Sequence, residues 1–164
     1  MLSKPISFAP IIDDKSKVLI LGTMPGGKSL EKRQYYANPR NQFWKIIDNI
    51  FDETLPPDYE EKTDFLKDKG IALWDVLKAC YREGSLDSNI KNEEINDFTT
   101  LFDNYPNIRC VGFNGTKAYN IFKKSIGFDF LEIDFVKLPS TSPAHTIKFE
   151  QKLKEWEKIK NYLT

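Results

Sequence analysis

Val18-Leu19-Ile20-Leu21-Gly22-Thr23-Met24-Pro25-Gly26-Gly27 is an apolar run that stops at a glycine-rich turn. Four apolar residues without polar alternation predict a short strand buried on both faces, the habit of a parallel sheet. Soon afterwards comes Gln34-Tyr35-Tyr36-Ala37-Asn38-Pro39-Arg40-Asn41-Gln42-Phe43-Trp44, dense in flat rings and neutral amides. A buried strand that opens into such a loop suits gripping a planar ring, whereas a hard cation would call for clustered carboxylates. This is the candidate active site.

Reading outward, 43–51 has the apolar spacing of a helix, as do 59–69 and 115–125. Asp58 is placed to cap the second of these, and Gly70 to end it in a left-handed conformation. Residues 71–74, 108–113 and 135–138 read as three further strands. The segment 82–92 is polar and reads as a loop, while 93–104 carries Ile95, Phe98, Leu101 and Phe102 at helical spacing. The last helix, 149–163, shows Phe149, Leu153, Trp156, Ile159 and Leu163 on one face. Strands alternating with helices imply an α/β domain with a mainly parallel central sheet, in which ligands collect at the carboxyl ends of the strands. Those ends fall at Gly22, Asp75, Asn114 and the run Pro139-Ser140-Thr141-Ser142-Pro143-Ala144-His145.

The 164 residues suit a single domain, 1–164, with room for a real core. Hydrophobic residues make up 40% and charged ones 29%, ordinary for a soluble globular chain. No apolar stretch is long enough to span a membrane and no apolar signal core opens the chain, so a cytoplasmic location is expected, nucleoid-associated if the protein handles DNA. Cys80 and Cys110 stand in apolar surroundings and are expected as buried free thiols. Two cysteines and the single His145 are too few soft ligands for a zinc or iron–sulfur site, and neither metal nor cofactor is expected. Net charge is zero. Residues 1–50 nevertheless carry eight Lys/Arg against four Asp/Glu, and 137–164 six against three. Both candidate segments are therefore basic, which permits a local phosphate-binding face. The lysines from 148 to 160 read as an ordinary solvated helix face.

Several motifs admit two readings. The glycine-rich segment lacks the spacing of a dinucleotide fingerprint, and Pro25 removes an amide that a phosphate would need; it is not read as a P-loop either. Tyr36 lies in a loop where a ring has little reason to be buried, so it is a candidate for stacking on a ligand, while Trp44 reads as core. Asn41 stands just ahead of a helix, where capping and catalysis both fit. Asp75 ends a strand, where it either caps a helix over 76–81 or serves the site. Ser140, Thr141 and Ser142 lie between two prolines in a rigid, hydroxyl-bearing loop suited to phosphates. His145 fits a general acid, a phosphate contact or an ordinary loop histidine.

Together these pieces resemble the uracil-DNA glycosylase superfamily: residues 22–26 are similar to its first motif, and 138–145 to its second, the loop that enters the DNA helix. Gly-Thr-Met-Pro-Gly at 22–26, Tyr-Tyr-Ala-Asn-Pro-Arg-Asn-Gln-Phe-Trp at 35–44 and Leu-Pro-Ser-Thr-Ser-Pro-Ala-His at 138–145 most resemble its hypoxanthine-DNA (deoxyinosine) glycosylase branch. Leu73-Trp74-Asp75-Val76-Leu77 and Gly84-Ser85-Leu86-Asp87-Ser88-Asn89-Ile90 add to the match, which runs in order along nearly the whole chain.

The resemblance implies a three-layer α/β/α fold with a short four-stranded parallel sheet. It implies an enzyme that extrudes a deaminated base from DNA, hypoxanthine first and uracil with it. No lysine is obviously placed for Schiff-base chemistry, so a monofunctional glycosylase that leaves an abasic site is expected, and a monomer. Other branches place Asp or Asn where Met24 stands, to position the attacking water; the resemblance moves that role to Asn41. Tyr36 matches the aromatic that stacks on the extruded base, and backbone groups at Gly22, Thr23 and Met24 line its edge. Asp75 matches the position that reads the base, accepting from an N–H such as N1–H of hypoxanthine or N3–H of uracil. Asn114 supports the pocket, and Arg40, Ser140, Thr141, Ser142 and His145 face the DNA. The rival readings are a mismatch-specific uracil/thymine glycosylase, a non-catalytic module that binds damaged nucleic acid, and a nucleoside or nucleotide binder.

Overall fold

A computed structural model describes residues 4–82 and 90–163 of the chain. The motif that spans 84–90 lies outside the described residues except for Ile90. The opening apolar run forms β1 (Val18–Gly22), every residue of which is buried. It is the interior of a four-stranded parallel sheet of order β2-β1-β5-β6, with β2 at Ile71–Asp75, β5 at Cys110–Asn114 and β6 at Asp134–Leu138.

The pleat explains why no polar residue is admitted to β1. Val18 and Ile20 project into one apolar cluster with Phe43, Ile46, Ile47 and Ile50 of α2 (Phe43–Phe51), Leu66 of α3 (Tyr59–Asp68) and Trp156 of α6 (Phe149–Trp156). Leu19 and Leu21 project into a second with Phe98, Leu101 and Phe102 of α4 (Phe98–Asn104) and Ala118, Ile121 and Phe122 of α5 (Thr116–Ser125). Helices thus cover both faces, giving the α/β/α sandwich that the sequence implied. Asp58 caps α3, its carboxylate accepting from the Glu61 amide at 3.1 Å. Gly70 closes the segment with φ +84°.

Five stretches depart from the sequence reading. No helix follows Asp75: Leu77–Arg82 is a strand, β3, paired antiparallel with β4 (Ile90–Ile95). The amides of Val76 and Leu77 donate to the carbonyls of Gly22 and Thr23 at 2.8 and 3.1 Å, which draws the chain across the end of β1 in extended form. Asp75 is therefore not the cap of a helix over 76–81. Of the expected loop 82–92, residues 83–89 lie outside the described set and the others belong to this hairpin. The helical spacing from 93 begins too early, because Ile95 is in β4 and the helix starts only after Asp97, which caps it through the Thr100 amide. A short helix not anticipated, α1 (Gly27–Lys32), follows the glycine turn, and beyond Trp156 the last helix tightens to 3-10 geometry over Glu157–Tyr162.

Candidate active site

From β1 the chain crosses to β2 on one side, and later elements build outward from β5 on the other. The strand order reverses between β1 and β5, the crevice where open α/β sheets take ligands. A cavity of about 480 Å³ opens there, walled by the glycine turn after β1, the 35–41 segment, Asp75, Asn114 and residues 140–145. Every expected site residue lines it except Arg40, which is exposed beside the helix entrance with its amide donating to Asn38 Oδ1.

The floor is built around Gly22 and Asp75, which face each other across the β1–β2 register. Asp75 is 4% exposed, and its carbonyl accepts from Asn96 Nδ2 at 2.8 Å, a bond from the hairpin's end that fixes the turn. A side chain at Gly22 would collide with this carboxylate and lie 3.5 Å from the Tyr36 hydroxyl. Thr23 is buried and its hydroxyl meets no hydrogen-bond partner among the described residues, a costly arrangement for a polar atom in the wall of a cavity. Met24 turns into the second apolar cluster beside Leu21 and Phe113. Its thioether fits a packing role and cannot donate a hydrogen bond to water.

The letters Gly22-x-x-x-x-Gly27-Lys28-Ser29 do satisfy P-loop spacing, so the pattern alone does not dismiss that motif. The geometry argues against it. Ser29 is buried with its hydroxyl accepting from the Ala37 amide at 3.1 Å, and the Pro25 carbonyl accepts from the Arg82 guanidinium. A buried carboxylate at Gly22 would repel a phosphate cradled there.

Tyr36 has φ +55° and stacks one ring face on Phe43, with centroids 4.2 Å apart. Its hydroxyl accepts from Asn114 Nδ2 at 3.2 Å. Burial, and then the Asp75 charge, push the phenol well above its usual range against a smaller opposing effect of the Asn114 bond, so it stays protonated at neutral pH. Asn114 is spoken for on both ends: Nδ2 also donates to Thr141 Oγ1 and Oδ1 accepts from the Thr141 amide, each at 2.9 Å. It therefore joins β5, Tyr36 and the second loop. Thr141 is fully buried within this exchange, whereas Ser140 and Ser142 are half-buried and His145 is exposed.

Asn41 Oδ1 accepts from the Phe43 amide at 2.9 Å, so the residue holds the helix entrance while lining the cavity. That bond orients the carboxamide and leaves it one acceptor lone pair and two N–H donors. Capping and a site role are thus compatible.

Lys152 was missed. It is 1% exposed, beneath the second loop, and donates to His145 O at 2.7 Å and Gln42 Oε1 at 2.9 Å. The reading of 148–160 as solvated charge fails at this residue. A signal existed: 149, 152, 153 and 156 lie on one helical face, which puts this lysine inside the apolar stripe. Burial holds its ammonium below the ordinary lysine value. Trp156 Nε1 adds a bond to Pro139 O at 2.9 Å, and the Gln42 amide one to Thr141 O at 3.0 Å.

Cys80 and Cys110 are both buried and not joined in a disulfide, as expected. Among the described residues no helix is long and apolar enough to cross a membrane, and no three His, Cys, Asp or Glu gather where a metal could bind.

An α/β/α sandwich with its cavity at this switch point is the architecture of a known family. The model of the uracil DNA glycosylase superfamily matches residues 9–164, and the chain belongs to that superfamily. A Hypoxanthine DNA glycosylase from Methanosarcina acetivorans is 40% identical over 155 residues, which cover 93% of this chain and 95% of that protein. Another of the same name from Methanosarcina barkeri is 43% identical over 129 residues, 77% of this chain and 82% of its relative. The solution NMR structure of a candidate uracil DNA glycosylase from Methanosarcina acetivorans aligns with a TM-score of 0.82 at 38% identity, covering 98% of this chain and 99% of that one.

Proposed function

We propose that the chain acts, as one domain and as a monomer, as a cytoplasmic, nucleoid-associated DNA repair glycosylase. It hydrolyses the N-glycosidic bond of deaminated bases, hypoxanthine first and uracil as well, and leaves an abasic site. The observation that carries this reading is the meeting of Tyr36, Asn41 and Asp75 in one cavity of about 480 Å³, large enough for a flipped nucleotide base.

In this reading the base enters against Tyr36, already backed by Phe43, and backbone groups of 22–24 line its edge. Asp75 accepts a base N–H; adenine offers none at N1, and a buried unmatched carboxylate opposite it is expensive, which supplies discrimination. The C–N bond breaks with its electron pair leaving on the base, and positive charge develops on the sugar. Asn41 orients the water whose oxygen then bonds C1′ while one of its protons is released to solvent and the departed base takes up a proton to leave neutral. The spare lone pair and N–H groups of Asn41 suffice because a cationic sugar needs no strong base. Ser140, Ser142, His145 and Arg40 meet the DNA backbone, and Thr141 holds their loop through Asn114.

The test is an excision assay on duplexes carrying hypoxanthine, uracil or thymine, with single-stranded controls. Abasic product from the inosine duplex supports the reading. Binding without product would instead indicate a recognition module, and salt-insensitive affinity for free nucleosides alone a small-molecule binder.

A further inference from the structure

A lysine buried to 1% exposure with no carboxylate at hydrogen-bonding distance among the described residues is an expensive way to fill a core. Lys152 Nζ meets two neutral acceptors, Gln42 Oε1 and the His145 carbonyl. Replacing buried charge with apolar volume is often neutral or stabilising, so fold stability alone does not account for a lysine here. Its two partners do. Gln42 is the neighbour of Asn41, and its own amide reaches Thr141 O, while His145 ends the second loop. Three hydrogen bonds thus stitch the segment at 41–43 to the loop at 139–145, two of them from one ammonium.

We infer that Lys152 is a positioning residue for excision: it latches the Asn41-bearing helix entrance to the DNA-facing loop and so sets the distance between the oriented water and the sugar. It touches neither substrate nor water, and acts through Gln42 and the His145 carbonyl. The inference rests on the glycosylase reading for its consequence, and on the latch geometry for its cause.

Lys152→Met keeps the length of the side chain and removes the donors. Single-turnover excision of an inosine duplex should fall roughly ten- to a hundredfold, the scale on which a displacement of about 1 Å acts. The thermal midpoint should hold or rise, and duplex affinity should be retained. Gln42→Met should match it, the double variant should be no worse than either single one, and Gln42→Glu, which keeps an acceptor, should retain the rate. An unchanged rate in Lys152→Met, or additive losses in the double variant, overturns the latch. If Lys152→Met does not fold, the comparison of Gln42→Met with Gln42→Glu decides, and equal rates for the two overturn it. Amide hydrogen exchange supplies a readout independent of activity. Protection at Gln42 should drop in Lys152→Met while the β1 amides stay protected; unchanged protection at Gln42 overturns the latch. Absence of excision by the unaltered protein would refute the glycosylase reading instead, and exchange at Gln42 would then judge the latch alone.

Discussion

A β-carbon added at Gly22 would stand 2.6 Å from Oδ1 of Asp75. Real β-carbons do not approach an oxygen that closely, so the glycine is what lets the carboxylate lie against the end of β1. Gly22→Ala should force Asp75 aside. Excision should fall sharply while the far-ultraviolet circular dichroism is preserved, and normal kinetics in a folded Gly22→Ala would show that the carboxylate's placement is not needed.

Asp75→Asn tests what that carboxylate reads. The carboxamide can present a donor as well as an acceptor, so the ratio of excision rates on inosine and uracil duplexes should shift relative to the unaltered protein. Parallel loss on both substrates, with the ratio intact, would assign Asp75 to the floor's architecture alone.

Asn41→Ala removes both the helix-entrance bond and the proposed water contact. The lost cap should cost about 1 kcal/mol of stability. The excision rate should drop much further than that loss of stability accounts for, with duplex binding still measurable. Asn41→Asp keeps an acceptor for the Phe43 amide and should restore the stability; near-normal excision by Asn41→Ala would remove Asn41 from the chemistry.

For Tyr36, ring and hydroxyl separate cleanly. Tyr36→Phe loses only the Asn114 bond at 3.2 Å, whereas Tyr36→Ala loses the platform over Phe43. Base stacking is worth about 1–3 kcal/mol. Affinity for an inosine duplex and the excision rate should both fall for the alanine variant and change little for phenylalanine. Equal behaviour of the two variants would count against stacking.

At high pH the fold itself should weaken. Burial, with a smaller effect of Asp134, pushes the Cys110 thiol up to about 12 from 9.0, and the Tyr162 phenol, which donates to Asp134 at 2.8 Å, also moves up to about 12. The unfolded chain releases these protons earlier than the folded one. Their contribution is therefore complete below pH 9 and lost as pH rises from there toward 12. Denaturant midpoints should fall across that window, less so in Cys110→Ala, and iodoacetamide should label Cys110 at pH 8 only once the protein is unfolded.

What the sequence disclosed followed how local the determining forces were. The β1 run and the 43–51 helix announce themselves because burial on both faces and a full apolar stripe leave few alternatives. Asp58 does so because capping is settled within four residues. The β3–β4 hairpin is different: bonds from Val76 and Leu77 to Gly22 and Thr23, more than fifty positions away, draw the chain out at its start, and 77–82 then pairs with β4. Lys152 failed for another reason. Its residue type argued for solvent and its helical position for the core, and only the acceptors at Gln42 and His145 resolve the conflict. The glycine turn was legible as a pocket wall, but the carboxylate that excludes a phosphate there became visible only when β2 came to lie beside β1.

The second loop is held at four main-chain oxygens or amides by side chains and backbone from elsewhere: Trp156 at Pro139, Asn114 and Gln42 at Thr141, and Lys152 at His145. So fastened, it is a fixed template and not a finger that closes. A duplex that meets it must supply the deformation itself, and the work of opening a base pair is least where pairing is already weakened. Part of the selection among lesions would then be made by the mechanics of the DNA, before any base has reached Asp75.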